Sequence, residues 1–116
     1  MRTGTNLHST ALQIKVLRAE CQEYDSKKKN YDKTPNPYLR IAVGSGSALQ
    51  QCDTRVVRST TTPVYNEYLE FFVRDLRKDM VTFSMESRDG FFKDVLGTLR
   101  VPVMAAARGD VLQVRS

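Results

Sequence analysis

Two clusters of side chains in this sequence have chemistry to offer an anionic surface. Lys27, Lys28 and Lys29 stand side by side in a long polar stretch, 20–36. Phe91 and Phe92 are adjacent in a second polar stretch, 87–94, and Lys93 follows them. Near an anionic leaflet each basic side chain contributes on the order of 1 kcal/mol. Burying one phenylalanine contributes roughly 1.5–3 kcal/mol. Two adjacent aromatics cannot both point into a core, because strand side chains alternate between faces. If the two clusters share one end of the fold, their sum reaches affinities on the order of micromolar for anionic lipid.

Reaction chemistry is not expected, and the chain reads as no enzyme. The single histidine, His8, lies in a polar, unpatterned lead-in with no Ser-His-Asp or Cys-His arrangement around it. There is no G-x-x-x-x-G-K-[ST] loop, and "GSGS" at 44–47 opens no helix, so it reads as a turn. Cys21 and Cys52 form neither a disulfide framework nor a C-x-x-C metal spacing, which favours a reducing, cytoplasmic setting. The formal net charge of +5 favours anionic partners. Nucleic acid is not expected among them, because aromatic and basic residues are not interleaved on one strand face as in base-stacking platforms. No apolar stretch has signal-peptide or membrane-spanning character, so membrane contact is expected to be peripheral.

The elements that must position these clusters are strands. The length of 116 residues fits one domain, read as a flexible lead-in over 1–10 and a folded body over 11–116. Leu12, Ile14 and Val16 alternate with polar residues, the period of a half-buried strand. "PYLRIAVG" at 37–44 sets Leu39, Ile41 and Val43 on one face and Tyr38, Arg40 and Ala42 on the other. "TRVVR" at 54–58, "EYLEFFVR" at 67–74, "MVTFSME" at 80–86, "VLGTLRVPV" at 95–103 and "VLQVR" at 111–115 complete seven predicted strands. Leu69, Phe71, Val73, Val81, Phe83 and Met85 are the predicted inward residues. "MAAARG" has room for one helical turn. Asn-Gly hairpin signals are missing, so longer Greek-key connections are expected. The fold class that follows is an all-β, antiparallel Greek-key sandwich of seven to eight strands. The ending at Ser116 reads as a module cut from a larger protein.

Three phrases in order resemble the C2 domain family: "LQIKVLRAE" followed by a polar loop and "NPYLRIAVG"; "TRVVRSTTTPVYNEYLEF"; and "VTFSMESRDGFFKDVLGTLRVPV". Together they span roughly 11–103. The resemblance implies an eight-stranded sandwich with three loops gathered at one end, loops that in the family hold calcium and touch lipid. The order resembles the permuted, type II arrangement, in which an eighth strand lies beyond Ser116 or residues 1–9 replace it.

The family's metal pattern is poorly matched. Asn36 stands where the aspartate of an Asp-Pro-Tyr phrase belongs, and a neutral amide offers one carbonyl oxygen. Aligned from the strand before it, the other first-loop position is nearest Asp25; aligned from "NPY" it falls on Asn30, with Asp32 close by. In the third loop Glu86 and Arg88 fall on the two main acidic positions, a one-residue shift brings in Asp89, and Asp94 matches the last. No cofactor is required on this reading, and calcium binding is expected to be weak or absent. The resemblance also implies a basic sheet groove for phosphoinositide. Tyr38, Arg40 and Arg55 match it, while Asp53 and Ser87 depart from it.

The expected function is that of a peripheral, membrane-targeting module binding anionic phospholipid, with phosphoinositide among its ligands. It acts through Lys27, Lys28, Lys29, Phe91, Phe92, Lys93, Tyr38, Arg40 and Arg55. The alternative is a protein-interaction module within a larger signalling or trafficking protein.

Overall fold

Period-two alternation sets the first strand, β1 (Thr10–Arg18), which turns Leu12 and Val16 into the core and leaves Gln13 and Lys15 outside. The computed structural model describes residues 10–21, 34–90 and 92–106. The strands that follow are β2 (Pro37–Gly44), β3 (Gln50–Asp53), β4 (Val64–Val73), β5 (Met80–Asp89) and β6 (Phe92–Pro102). A 3-10 turn occupies Gly46–Ala48, and the short helix α1 covers Val103–Ala106. β1 pairs with β4 in one antiparallel sheet, and the other runs β3-β2-β5-β6, also antiparallel.

The inward faces of the two sheets meet in one core. Leu12, Val16, Leu69, Phe71 and Val73 from the first sheet pack with Ile41, Val43, Val81 and Phe83 from the second, and Val103 closes one end. Each such side chain contributes roughly 1.5–3 kcal/mol by leaving water. The predicted inward residues of β4 and β5 are buried, Met85 among them. The all-β antiparallel sandwich read from the alternation is therefore the fold of the described residues.

Three local expectations differ. Residues 54–58 form no strand. Thr54 and Val57 donate single backbone bonds to Leu39 and Pro37, Thr54 Oγ1 accepts the Leu39 N–H, and Arg55 turns its N–H to the Glu67 carboxylate at 2.9 Å. The segment thus bridges both sheets and joins neither ladder. The strand in this region is instead Gln50–Asp53, a sequence of little β propensity held by its register with β2. Gln50 also reaches across the sandwich. Its amide oxygen accepts the Phe72 N–H at 2.9 Å and its amide nitrogen donates to the Phe72 carbonyl, on the edge of β4 that no other described strand pairs.

The third difference is the stretch 87–94, which is a hairpin and not a long loop. β5 runs to Asp89 and β6 resumes at Phe92, with Asp89 and Phe92 in register. Gly90 has a φ of +60°, a conformation that L side chains rarely adopt. Gly90 thus opens the two-residue connection after Asp89, at a position where a tight hairpin takes a glycine. The predicted strand 111–115 and residues 1–9 of the lead-in lie outside the described residues, while Thr10, the last lead-in residue, is the first of β1.

Candidate functional site

Asn36 stands at the mouth of β2 and ties it to two other chain segments. Its backbone N–H donates to Ser87 Oγ at 2.9 Å and its carbonyl accepts the Arg88 N–H at 3.2 Å. Its side-chain Nδ2 donates to the Arg88 carbonyl at 2.9 Å, and its Oδ1 accepts the Ser59 N–H at 2.9 Å. Ser59 sits at a φ of +53°, so this bond holds an unusual backbone conformation. The position needs a donor and an acceptor together, which asparagine has and an ionised aspartate lacks. The oxygen that a metal would use is directed at an amide.

One step inward, the outer face of the four-stranded sheet carries a polar network. Tyr38 and Glu86 are register partners on β2 and β5. The Tyr38 hydroxyl donates to Glu86 Oε1 at 2.8 Å, Ser84 Oγ donates to Oε2 at 3.0 Å, and Arg40 Nη1 lies 3.8 Å from Oε1. Glu86 is buried and has both oxygens occupied. Burial pushes the Tyr38 hydroxyl above its ordinary pKa, the bond to Glu86 pushes the same way, and Arg88 and Arg40 oppose them. The Tyr38 ring carries the Arg88 guanidinium 5.0 Å from its centroid and that of Arg40 at 5.8 Å. Arg40 also forks onto Asp53, its register partner on β3, at 3.0 and 3.2 Å.

The sequence-predicted residues fall into separate places. Tyr38 and Arg40 share one face of β2, as period two requires. Arg55 is bound to Glu67 at 3.3 Å and to the Val64 carbonyl at 3.0 Å, on β4. Asp94 is the register partner of Ser87, and Asp89 lies at the hairpin turn. Lys93 lies directly opposite Arg88, and both are exposed. Lys27, Lys28, Lys29, Asp25, Asp32 and Phe91 lie outside the described residues, and of Phe92 only the backbone is described. Among the described residues no three histidine, cysteine or acidic side chains gather as a cation site.

At the same end, Asn36, Val56, Arg58, Arg88, Asp89 and Gly90 line a cleft of about 400 Å³. Sequence reasoning missed the knot at Asn36 and this cleft. Gly90 was the legible signal for the hairpin that builds one wall.

Two sheets so ordered, with these loops at one end of β2 and β5, match a known pattern. The sequence profile described as C2 domain matches residues 10–114. The chain belongs to the C2 domain family. C2 domains are membrane-targeting or protein-interaction modules. Over 69 residues this C2 domain is 38% identical to mouse Intersectin-2, covering 59% of the chain but 4% of that protein. Xenopus laevis Intersectin-1 is 35% identical over 60 residues, 51% of the chain and 3% of that protein. The chain thus spans a few per cent of the length of these relatives. Among solved structures, a C2 domain of RIM from Drosophila superposes with a TM-score of 0.70 at 14% identity, covering 93% of this chain and 85% of that one. At such identity the likeness is one of fold. Among the described residues no helix is long and apolar enough to cross a membrane.

Proposed function

We propose that this C2 domain is a non-catalytic, peripheral membrane-targeting module. It binds anionic phospholipid through its loop end with weak or no calcium dependence. The observation that carries the reading is the register pairing of exposed Arg88 and Lys93 beside the hairpin turn. Like charges directly opposite each other on a sheet are destabilising, and an arriving anion relieves that repulsion. Phe91 and Phe92 follow Gly90 in sequence, and the lysines of 27–29 add to the same attraction. The commitments of Asn36 and Glu86 to protein partners support the weak calcium dependence. Arg40 and Arg55 each hold a carboxylate already, which sets the sheet groove below the loop end as a site for phosphoinositide.

Co-sedimentation with phosphatidylserine vesicles, in calcium and in chelator, tests the proposal. Binding in chelator that falls with added salt and with Lys27→Ala/Lys28→Ala/Lys29→Ala is the expected result. Binding only in calcium rejects the calcium-independent mechanism.

A second reading, protein interaction, is favoured by the outward face of β1 and β4. There Tyr68 and Phe72 are 59% and 66% exposed, and Leu17 is exposed on the same sheet. Partner capture that survives lipid extraction and is lost on Phe72→Ser supports it.

A further inference from the structure

The cleft at the loop end is lined by two arginines, Arg58 and Arg88, against one carboxylate, Asp89. Arg88 stacks on the Tyr38 ring, and Arg58 has no ion-pair partner among the described residues. A lining with an excess of guanidinium repels a metal cation and suits an anion. We infer that this cleft is a phosphate seat, in which Arg58 and Arg88 take directly the phosphate of an anionic ligand.

Four features support that assignment. Guanidinium groups present forked donors that match phosphate oxygens, and neither is occupied by a carboxylate in any pair among the described residues. The walls are cross-tied. The Asn36 side chain ties the segment bearing Arg58 to the end of β5 through Ser59 and Arg88, and the chain Glu86–Tyr38–Arg88 orders the second wall. The volume, about 400 Å³, falls in the range of roughly 300–1,000 Å³ typical of small-ligand sites. Lys93 stands across from Arg88 and adds positive potential at the rim. The phosphate comes from a lipid headgroup or from a soluble phosphate ester. The inference rests on the membrane reading only for the first source.

The test uses the full 116-residue chain. Amide resonances are followed during titration with glycerol 3-phosphate, and vesicle binding is measured in chelator. Variants are Arg58→Gln/Arg88→Gln and, as a control at the far part of the β5–β6 ladder, Arg100→Gln, whose register partner is Thr82. Thermal unfolding checks that each variant folds. Saturable shifts at Asn36, Arg58 and Gly90, lost in Arg58→Gln/Arg88→Gln and kept in Arg100→Gln, are expected. Vesicle affinity should fall about fivefold per arginine removed from the cleft, and less for Arg100. If no localised shifts appear and all variants lose vesicle affinity in proportion to charge, the phosphate seat is rejected while the membrane reading stands. If the shifts appear but no vesicle binding does, the seat stands for a soluble phosphate ester and the membrane reading fails.

Discussion

Asn36 Oδ1 accepts the Ser59 N–H at 2.9 Å, across 23 residues of sequence, and thereby fixes the backbone of a residue at φ +53°. The same side chain donates to Arg88. One amide therefore decides how the mouth of β2, the 54–63 segment and the hairpin sit together. Replacing it by aspartate sets a carboxylate oxygen against the Arg88 carbonyl. Asn36→Asp is expected to destabilise the fold by about 1–3 kcal/mol without raising calcium affinity. Urea unfolding in calcium and in chelator measures both. A variant that gains stability from calcium refutes the structural role.

Tyr38→Phe removes a hydrogen bond to a buried carboxylate and leaves the ring beneath Arg88. Bonds to charged groups contribute about 1.5–3 kcal/mol, so a loss in that range is expected by denaturant unfolding. A loss below about 0.5 kcal/mol would show that Ser84 and Arg40 satisfy Glu86 without it.

Alkaline pH should unfold this protein early. Burial raises the Cys21 thiol above its ordinary value of 9.0, and burial raises the Tyr65 hydroxyl far above 10.0, with Tyr38 shifted the same way. In each case the folded state keeps a proton that the unfolded chain releases. Stability is thus fully present below about pH 9 and falls as pH rises past the unfolded values. Melting temperature across pH 8 to 11 reads this out, and Tyr65→Phe should flatten the slope above pH 10. An unchanged slope in that variant would assign the loss elsewhere.

Gln50→Ala opens the edge of β4 by removing both bonds to Phe72. Stability should fall by about 1–2 kcal/mol. The Phe72 amide should exchange its hydrogen faster by a larger factor than the amides of β5. Uniform acceleration would mean that the bond contributes only to global stability.

Much of the sandwich was legible because burial on one face of a strand writes period two into the residues. Leu12 and Val16, Ile41 and Val43, Leu69 to Val73, and Val81 to Met85 each show it, and each lies where the pattern requires. The strand Gln50–Asp53 was not legible. Its residues carry no β pattern, and only pairing with Arg40–Val43 makes it a strand. Conversely, 54–58 reads as a strand by its valines, yet Glu67 and Leu39 draw its polar groups to opposite sheets.

The site divides along the same line. Residue identities alone determined that the chain is an all-β, basic module, because composition and short-range alternation are local properties; that a neutral asparagine holds an acidic position followed from the resemblance of three ordered phrases to the C2 family. Tertiary structure alone decided that this asparagine is a three-way tie. It also decided that Glu86 is spent on Tyr38 and Ser84, and that Arg58 and Arg88 line a common cleft. Those facts depend on hydrogen-bond geometry between segments far apart in sequence, and no period or spacing along the chain encodes which donor will meet which acceptor.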